Sequence, residues 1–448
     1  MSAVPVPAPV RRHGAILAAI LATDVLLRLW IATAIPTQPI SDFLEYMRTA
    51  QSLLHTGRYE AAPNVPDGNH PPAYPLLLSL GFRFVPAGCE LFTAKVINAG
   101  LSTLAAFLGA MLARRFWGPA AGLWTAAWVA FFPRSLLMAD LVASENLFAP
   151  LLLLFLLLCA ISWTSDRRPA LAVAIGLVVG ALALTRSVAY FLPVVWIFGA
   201  LAARRPWRTW TAELFVILIA QHALMLPWAV RNARTFGRFT FLNTVGGVGL
   251  FIGNNDHATG EWQPWNEALD RLRPGIHAQG AVAVDDAARQ EAWRWIRANP
   301  GRAAALYAHK LRVILTDDSM AANFAIFIEA APPPDASSAV LPGPHPLKAH
   351  RALVYRVLRL SGLLLAAAAL GGFFLLVRSA SAGSIVSRAL SVGFAATALY
   401  VPVLSAAIAV SGRYRWPAED AIMPLAGLFC AWITSGGRRN LSAPIAST

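Results

Sequence analysis

The sequence predicts an all-α protein threaded many times through a lipid bilayer, and three observations carry that prediction. Of 448 residues, 57% are hydrophobic and only 13% are charged, roughly half the charged share of a soluble domain. The mean hydropathy is +0.55. The apolar residues are gathered into runs of about the 20 residues that a helix needs to cross a bilayer. This composition excludes a soluble enzyme and a disordered chain. Cys89, Cys159 and Cys430 are scattered and odd in number, which excludes a disulfide scaffold and a cysteine metal site.

Taken in order, the chain opens with Arg11 and Arg12 before an apolar run, which predicts a first span at 14–35. That run is too long, and too poor in a small-residue cleavage site, for a signal peptide. Further runs predict spans at 91–112, 119–133, 141–162, 169–185, 187–203, 210–229, 352–377, 385–410 and 418–436. The stretch 74–86 reads as a half-helix or an interfacial helix, so the expected total is about ten to thirteen transmembrane helices.

Orientation follows from the cations. The net charge is +14, and all cations but Lys95, Lys310 and Lys348 are arginines or histidines. Arg11/Arg12, Arg114/Arg115, Arg167/Arg168, Arg204/Arg205/Arg208, Arg378/Arg388 and Arg438/Arg439 share one side under strict alternation. That side is expected to be the cytoplasm, with both termini in it. The opposite side receives two long loops, at about 36–90 and 230–350. The expected organisation is a transmembrane module over 1–230 that includes the loop 36–90, an extracytoplasmic loop over 231–350, and C-terminal transmembrane helices over 351–448.

Both loops carry amphipathic helical patterns. In the first, Asp42-Phe-Leu-Glu45 has capping-box spacing and opens a helix that runs to Leu54 before a stop at Gly57, with Asp42 as its cap. In the second, 283–298 and 301–316 have helical period and are divided by Asn299-Pro300-Gly301. The Pro-, Ser- and Ala-rich stretch 331–346 reads as a flexible connector. Gly246-Gly247-Val-Gly249 imitates a nucleotide loop, but no strand-to-helix context supports that use.

Ionisable residues at a membrane are costly, so those at the outer junctions point to function. They are Asp42, Glu45 and His70, then Asp140 and Glu145 at one helix mouth, and Arg186 at another. Arg231, Lys310, Arg413 and Arg415 follow. For Glu145 the alternatives are a salt bridge to Arg186 or Arg134 and a place in the site. Asp140 is expected at the water boundary, without a special partner. A carboxylate can act as general base towards a hydroxyl, and arginine or protonated histidine can hold a phosphate. Together they suit transfer of a group away from a membrane-embedded phosphate.

Several segments resemble the bacterial members of the dolichyl-phosphate-mannose–protein mannosyltransferase superfamily, which includes the aminoarabinose transferases acting on lipid A. They are Ser41-Asp42-Phe-Leu-Glu45-Tyr46 through His70-Pro71-Pro72, Ser144-Glu145-Asn146-Leu147, Leu184-Thr185-Arg186, Pro227-Trp228 to Arg231-Asn232, Gly253-Asn254-Asn255, Asn299-Pro300 with Lys310-Leu311, and Arg413-Tyr414-Arg415-Trp416-Pro417. The resemblance implies a GT-C fold and an inverting glycosyltransferase that uses a polyprenyl-phosphate sugar on the periplasmic or outer face of a bacterial plasma membrane. It implies a catalytic carboxylate at Asp42 with Glu145 beside the substrates, and phosphate contacts from His70, Arg231, Lys310, Arg413 and Arg415. Glu45 and Arg186 are secondary candidates. The acceptor is expected to be an envelope glycan or lipid, membrane lipids are further partners, and nucleic acid is not one. No cofactor is required, although a divalent cation bridging acid and phosphate fits the same chemistry.

Two departures from the family stand out. Asp42 is followed by Phe43 and not by a second acid, and His70 stands where the aminoarabinose enzymes have lysine. Two acids within reach of each other would also allow a retaining double displacement. A transporter or flippase for polyprenyl-linked glycans would keep its ionisable residues near the bilayer midplane, where this sequence reads as nearly uncharged. A ligase moving a whole lipid-linked glycan would share the outer-rim site.

Overall fold

A computed structural model describes residues 8–35, 37, 39–165, 169–317, 319–323, 326, 346–408 and 410–437. The chain opens with α1 (Ala8–Ala34). The first loop then forms α2 (Asp42–Thr56), a small antiparallel hairpin (Glu60–Ala62 with Val65–Pro66) and α3 (Ala73–Phe82). Helices α4 (Glu90–Trp117), α5 (Pro119–Phe131), α6 (Pro133–Asp140), α7 (Glu145–Thr164), α8 (Pro169–Thr185), α9 (Pro193–Ala202) and α10 (Trp207–Phe236) follow. The second loop folds into α11 (Gly246–Gly253), α12 (Asn266–Leu272), α13 (Ala281–Ala298), α14 (Pro300–Thr316) and α15 (Ser319–Ala322). Three long helices, α16 (Arg351–Ser381), α17 (Ile385–Ser405) and α18 (Trp416–Thr434), complete the fold.

Six of these helices (α1, α4, α7, α10, α16 and α17) are each long and apolar enough to cross a bilayer. This is an all-α membrane protein. Helices α5, α8, α9 and α18 occupy the other four positions where the sequence predicts spans. The arginines at 167, 168, 438 and 439 and the connector at 331–345 lie outside the described residues.

Lipid supplies no hydrophobic drive between helices, so close backbone approach depends on small residues. A Cβ on Gly427 of α18 would collide with Thr125 of α5, and one on Gly372 of α16 would collide with the Leu425 backbone. Helix α18 is thereby wedged between α5 and α16. Its N-terminal end follows directly on Arg413 and Arg415, so this wedge also fixes two candidate site residues.

The predicted span at 141–162 is divided differently. Pro133 cannot extend α5 and confines Phe132 to an extended conformation, with ψ 121°. After the short α6, Leu141 is extended again, and α7 starts at Glu145. The free carbonyls of this turn are satisfied by side-chain amides. Asn146 Nδ2 donates to Leu141 O at 2.9 Å and to Met138 O and Ala143 O at 3.1 Å, and Asn98 Nδ2 donates to Leu141 O at 2.8 Å. Buried irregular backbone in a membrane protein persists only with such partners.

Three expectations need correction. Asp42 is the first residue of α2 and not its cap; Ser41 holds the cap position at φ 49°, with no side-chain capping bond. The carboxylate of Asp42 is therefore not spent on the helix end. The C-terminal stop is as predicted: Gly57 is left-handed (φ 68°) and its N–H bonds to Leu53 O at 3.2 Å. Second, Asp140 is not at the water boundary but buried, 2.6 Å from Lys95 Nζ. Third, the spans are not free of charge. Asp24 and Arg28 of α1 are buried and bonded at 2.6 Å, and Arg28 also donates to the carbonyls of Val129, Ala130 and Ser135. The break between α5 and α6 frees the carbonyls of Val129 and Ala130, so the cation serves as their cap.

Candidate active site

Asp42 lies in the first turn of α2, Glu145 opens α7, Arg186 follows α8, and Arg413 sits in a 3-10 turn (Gly412–Arg415) that leads into α18. Folding joins them into one line of contacts, although Asp42 and Arg413 are 371 positions apart. Arg413 Nη2 pairs with Asp42 Oδ2, and its Nε lies 3.9 Å from Glu145 Oε1. Arg186 Nη1 is 2.7 Å from the same Glu145 oxygen and donates to Ser144 Oγ at 3.2 Å. Ser144 Oγ lies 3.1 Å from Tyr46 OH. The Asp42 side chain is 32% exposed and that of Glu145 only 4%. Asp42 is therefore the acid at the mouth, and Glu145 lies beneath it between two arginines.

Burial pushes the Asp42 carboxyl up, but Arg413 beside it, with His70 and Arg186 behind, overrides that effect and lowers its pKa to about 2. It is an anion throughout the physiological range. While the Arg413 pair is intact it is also a weak base. A ligand anion that draws Arg413 towards itself strengthens it.

His70 closes the mouth from the other side. The segment Pro66-Asp67-Gly68-Asn69-His70 turns back under α2, because the Asp67 carboxylate accepts the backbone N–H groups of Asn69 at 2.7 Å and His70 at 3.0 Å. The same carboxylate lies 3.1 Å from His70 Nδ1 and accepts from Thr49 Oγ1 of α2 at 3.3 Å. Glu45 Oε2 is 3.4 Å from Nδ1, and Asp42 Oδ1 is 4.0 Å from Nε2. Burial opposes the imidazolium, but the bond to Asp67 and the charges of Asp67, Asp42 and Glu45 prevail, and the His70 pKa is raised. Glu45 is also raised, because burial, with the Asp67 and Asp42 charges, outweighs the opposing pull of His70 and Arg48.

The remaining candidate cations lie in separate networks. Arg231 Nη1 donates to Asp67 O at 2.7 Å and Nη2 to Tyr59 O at 3.0 Å, with the guanidinium over the Trp228 ring at 4.8 Å. It anchors the first loop to α10. Arg415 binds Glu419 at 2.6 Å and Leu315 O at 2.7 Å, while Glu419 also pairs with Arg134. Lys310 is buried. Its Nζ donates to Asn254 Oδ1 at 3.2 Å, and no carboxylate among the described residues pairs with it. Burial pushes its amine down to about 8. The Asn254 amide donates in turn to Ala407 O at 2.9 Å, close in sequence to Arg413.

No family model matches the sequence, and no curated protein matches it significantly. Solved structures do match. The oligosaccharyltransferase AglB from Archaeoglobus fulgidus, in complex with an inhibitory peptide and a dolichol-phosphate, is 15% identical with a TM-score of 0.52, covering 96% of this chain and 52% of that one. The same organism's oligosaccharyltransferase tethered to an acceptor peptide is 13% identical with a TM-score of 0.53, covering 94% and 50%. This chain has the GT-C fold. It spans about half the length of those two GT-C structures. ArnT from Cupriavidus metallidurans bound to undecaprenyl phosphate is 14% identical with a TM-score of 0.42, covering 94% of this chain and 78% of that one.

On this GT-C scaffold, Asp42, Glu45, His70, Glu145, Arg186 and Arg413 form one cluster, whereas Arg231, Lys310 and Arg415 do not join it directly. Sequence reasoning missed Asp67, which reads as an ordinary turn residue between Pro66 and Gly68. It also missed Ser144 and Tyr46, which link α2 to the mouth of α7. One signal for Asp67 was available: an acid three residues before a histidine can bond its ring within a single turn. Among the described residues, no three His, Cys, Asp or Glu side chains are grouped to hold a metal ion.

Proposed function

We propose that this protein is a membrane glycosyltransferase that moves a sugar from a polyprenyl-phosphate donor to an extracytoplasmic glycan or lipid acceptor. One observation carries the reading. A partly exposed carboxylate and its cationic neighbours, drawn from separate parts of the chain, meet at one rim of the helical bundle. AglB, described with a dolichol-phosphate, offers a parallel for the donor. The arginine pattern supports an inner-membrane protein with both termini in the cytoplasm and the site on the periplasmic or outer face. It supports equally a division into transmembrane parts over 1–230 and 351–448 with the loop 231–350 between them.

In this mechanism the donor phosphate rests against Arg413, Arg186 and His70, with Lys310 as a further cation. As the phosphate draws Arg413 away, Asp42 becomes a better base. It takes the proton of the acceptor hydroxyl while that oxygen attacks the anomeric carbon from the face opposite the phosphate. The C–O bond to phosphate breaks, the leaving charge is held by the cations, and a single displacement inverts the anomeric centre. Glu145 keeps Arg186 and Arg413 aligned. A divalent cation bridging an acid and the donor phosphate is compatible with this mechanism but is not required by it. No step is routed through a metal, although an archaeal oligosaccharyltransferase of the same fold is described with Zn. The buried Asp24–Arg28 pair caps a helix break and calls for no transport role.

The test is complementation of a strain from which the gene is deleted, read by mass spectrometry of its envelope glycolipids and polysaccharides. Deletion should remove one sugar mass, and the wild-type gene should restore it. Asp42→Asn should leave turnover lower by about 10²–10⁴-fold while donor binding persists. Near wild-type turnover by a folded Asp42→Asn protein would overturn the reading.

A further inference from the structure

We propose that Asp67 is a positioning residue for the donor phosphate: it fixes the His70 ring through Nδ1, so that Nε2 is presented as a charged donor to the space in front of Asp42. The proposal rests on the reading of His70 as a phosphate contact.

The geometry is specific. Asp67 is buried, and its carboxylate is held by four groups: the backbone N–H of Asn69, the backbone N–H of His70, Thr49 Oγ1 and His70 Nδ1. Its own carbonyl is clamped by Arg231. A carboxylate so restrained cannot swing away from the ring. A histidine whose Nδ1–H donates to a fixed carboxylate has, when charged, its second N–H on Nε2, the nitrogen on the Asp42 side. The ring itself is buried and its edge packs on Tyr46, with centroids 4.8 Å apart.

Charged and polar groups approach His70 from each packed element. From α2 come Glu45 at 3.4 Å and Asp42 at 4.0 Å, and from its own turn come Asp67 and the Asn69 amide, 3.4 Å from Nε2. Tyr59 OH donates to the His70 carbonyl at 3.0 Å. Arg413 opposes these anions from the far side of Asp42, and Arg186 stands behind it. A lysine in this place would be charged at any physiological pH. A buried histidine needs the carboxylates to stay charged. Its raised pKa means that the cation is complete below the ordinary histidine range and is lost as pH rises through the raised value.

The experiment measures binding of undecaprenyl phosphate in detergent micelles between pH 5 and 9 for wild type, Asp67→Asn, His70→Lys and the double variant. Asparagine keeps an oxygen for the two backbone N–H groups while removing the charge. Asp67→Asn should weaken binding severalfold at about pH 7 and above, where less of the ring stays charged, and should regain wild-type affinity at the acid end. On the His70→Lys background the same change should matter less than twofold. That background also reports the ligand's own second phosphate ionisation, near about pH 6. Equal weakening at every pH, or equal weakening on the His70→Lys background, would leave Asp67 only a structural role and overturn the proposal. Absence of wild-type binding at any pH would instead defeat the phosphate reading, and the proposal with it.

Discussion

Lys95→Met would strand a buried carboxylate. Lys95 Nζ is 2.6 Å from Asp140 Oδ1 and donates to Ile35 O at 3.0 Å, and neither side chain is more than 4% exposed. Removing one partner of a buried pair costs about 3–5 kcal/mol, because the other charge is left without solvent or counter-ion. The lost bond to Ile35 adds about 1 kcal/mol. Asp140→Leu strands the ammonium in the same way. Replacing both, Lys95→Met with Asp140→Leu, removes the two charges together and leaves a cost of about 1–2 kcal/mol, mostly at the Ile35 carbonyl. Thermal unfolding in detergent, followed by the fluorescence of the 15 tryptophans, reads all three variants against wild type. Each single variant should melt several degrees lower, and the double variant should recover most of the loss. The pair pins the C-terminal end of α1, where the chain leaves for Asp42, to α4 and α6. Turnover should therefore fall and recover in the same order. Single variants that melt with wild type, or a double variant worse than either, would refute this account of the pair.

Three further outcomes are expected. A cysteine placed in 260–290 should react with an impermeant thiol reagent from outside intact cells, whereas one near Arg204–Arg208 should not; the reverse would move the site to the cytoplasmic face. Lys310 has its amine pushed down from 10.5 to about 8 by burial. The unfolded chain thus takes up a proton first as pH falls, and wild-type stability should drop from about pH 10.5 to 8 and then level off. Lys310→Met should show no such slope and melt no lower than wild type at pH 7, yet bind polyprenyl phosphate more weakly, by about tenfold. Arg231→Met should release the carbonyls of Asp67 and Tyr59, seen as faster amide hydrogen exchange across 59–70, with loss of donor affinity following that loosening; unchanged exchange would mean that Arg231 does not anchor the loop.

The spans and the amphipathic helices of both loops were legible because lipid enforces a coarse rule: apolar runs of fixed length, with Gly or Pro at the breaks. Gly57 and Pro300 fall where the sequence puts them. Asp42, His70, Glu145, Arg186 and Arg413 were legible as a set because polar residues at helix mouths are scarce in such a chain. Their pairing was not, since nothing local in Asp42 specifies a partner 371 positions away. The buried pairs escaped for a related reason. Asp24 and Arg28 neutralise each other one turn apart, so their run still averages as apolar, and Lys95 and Asp140 lie on different helices. Arg231 reads from its Pro227-Trp228 context as a phosphate contact, and nothing in the sequence hints that its donors also reach the carbonyls of Asp67 and Tyr59, which only the folded first loop supplies.

The cap that Arg28 places on the α5–α6 break also has a consequence for biosynthesis. Arg28 and Ser135 are 107 positions apart, and a ribosome adds about 5–20 residues per second. The first helix therefore waits on the order of 5–20 s in the membrane before the carbonyls it will serve have been made. Through that interval Asp24, one turn back on the same helix, is at hand to neutralise Arg28. The i,i+4 pair thus lets an arginine needed late be inserted early, without an unbalanced charge in lipid. An Asp24→Leu chain should for this reason fail first at insertion of α1, before any stage at which the finished site could be assayed.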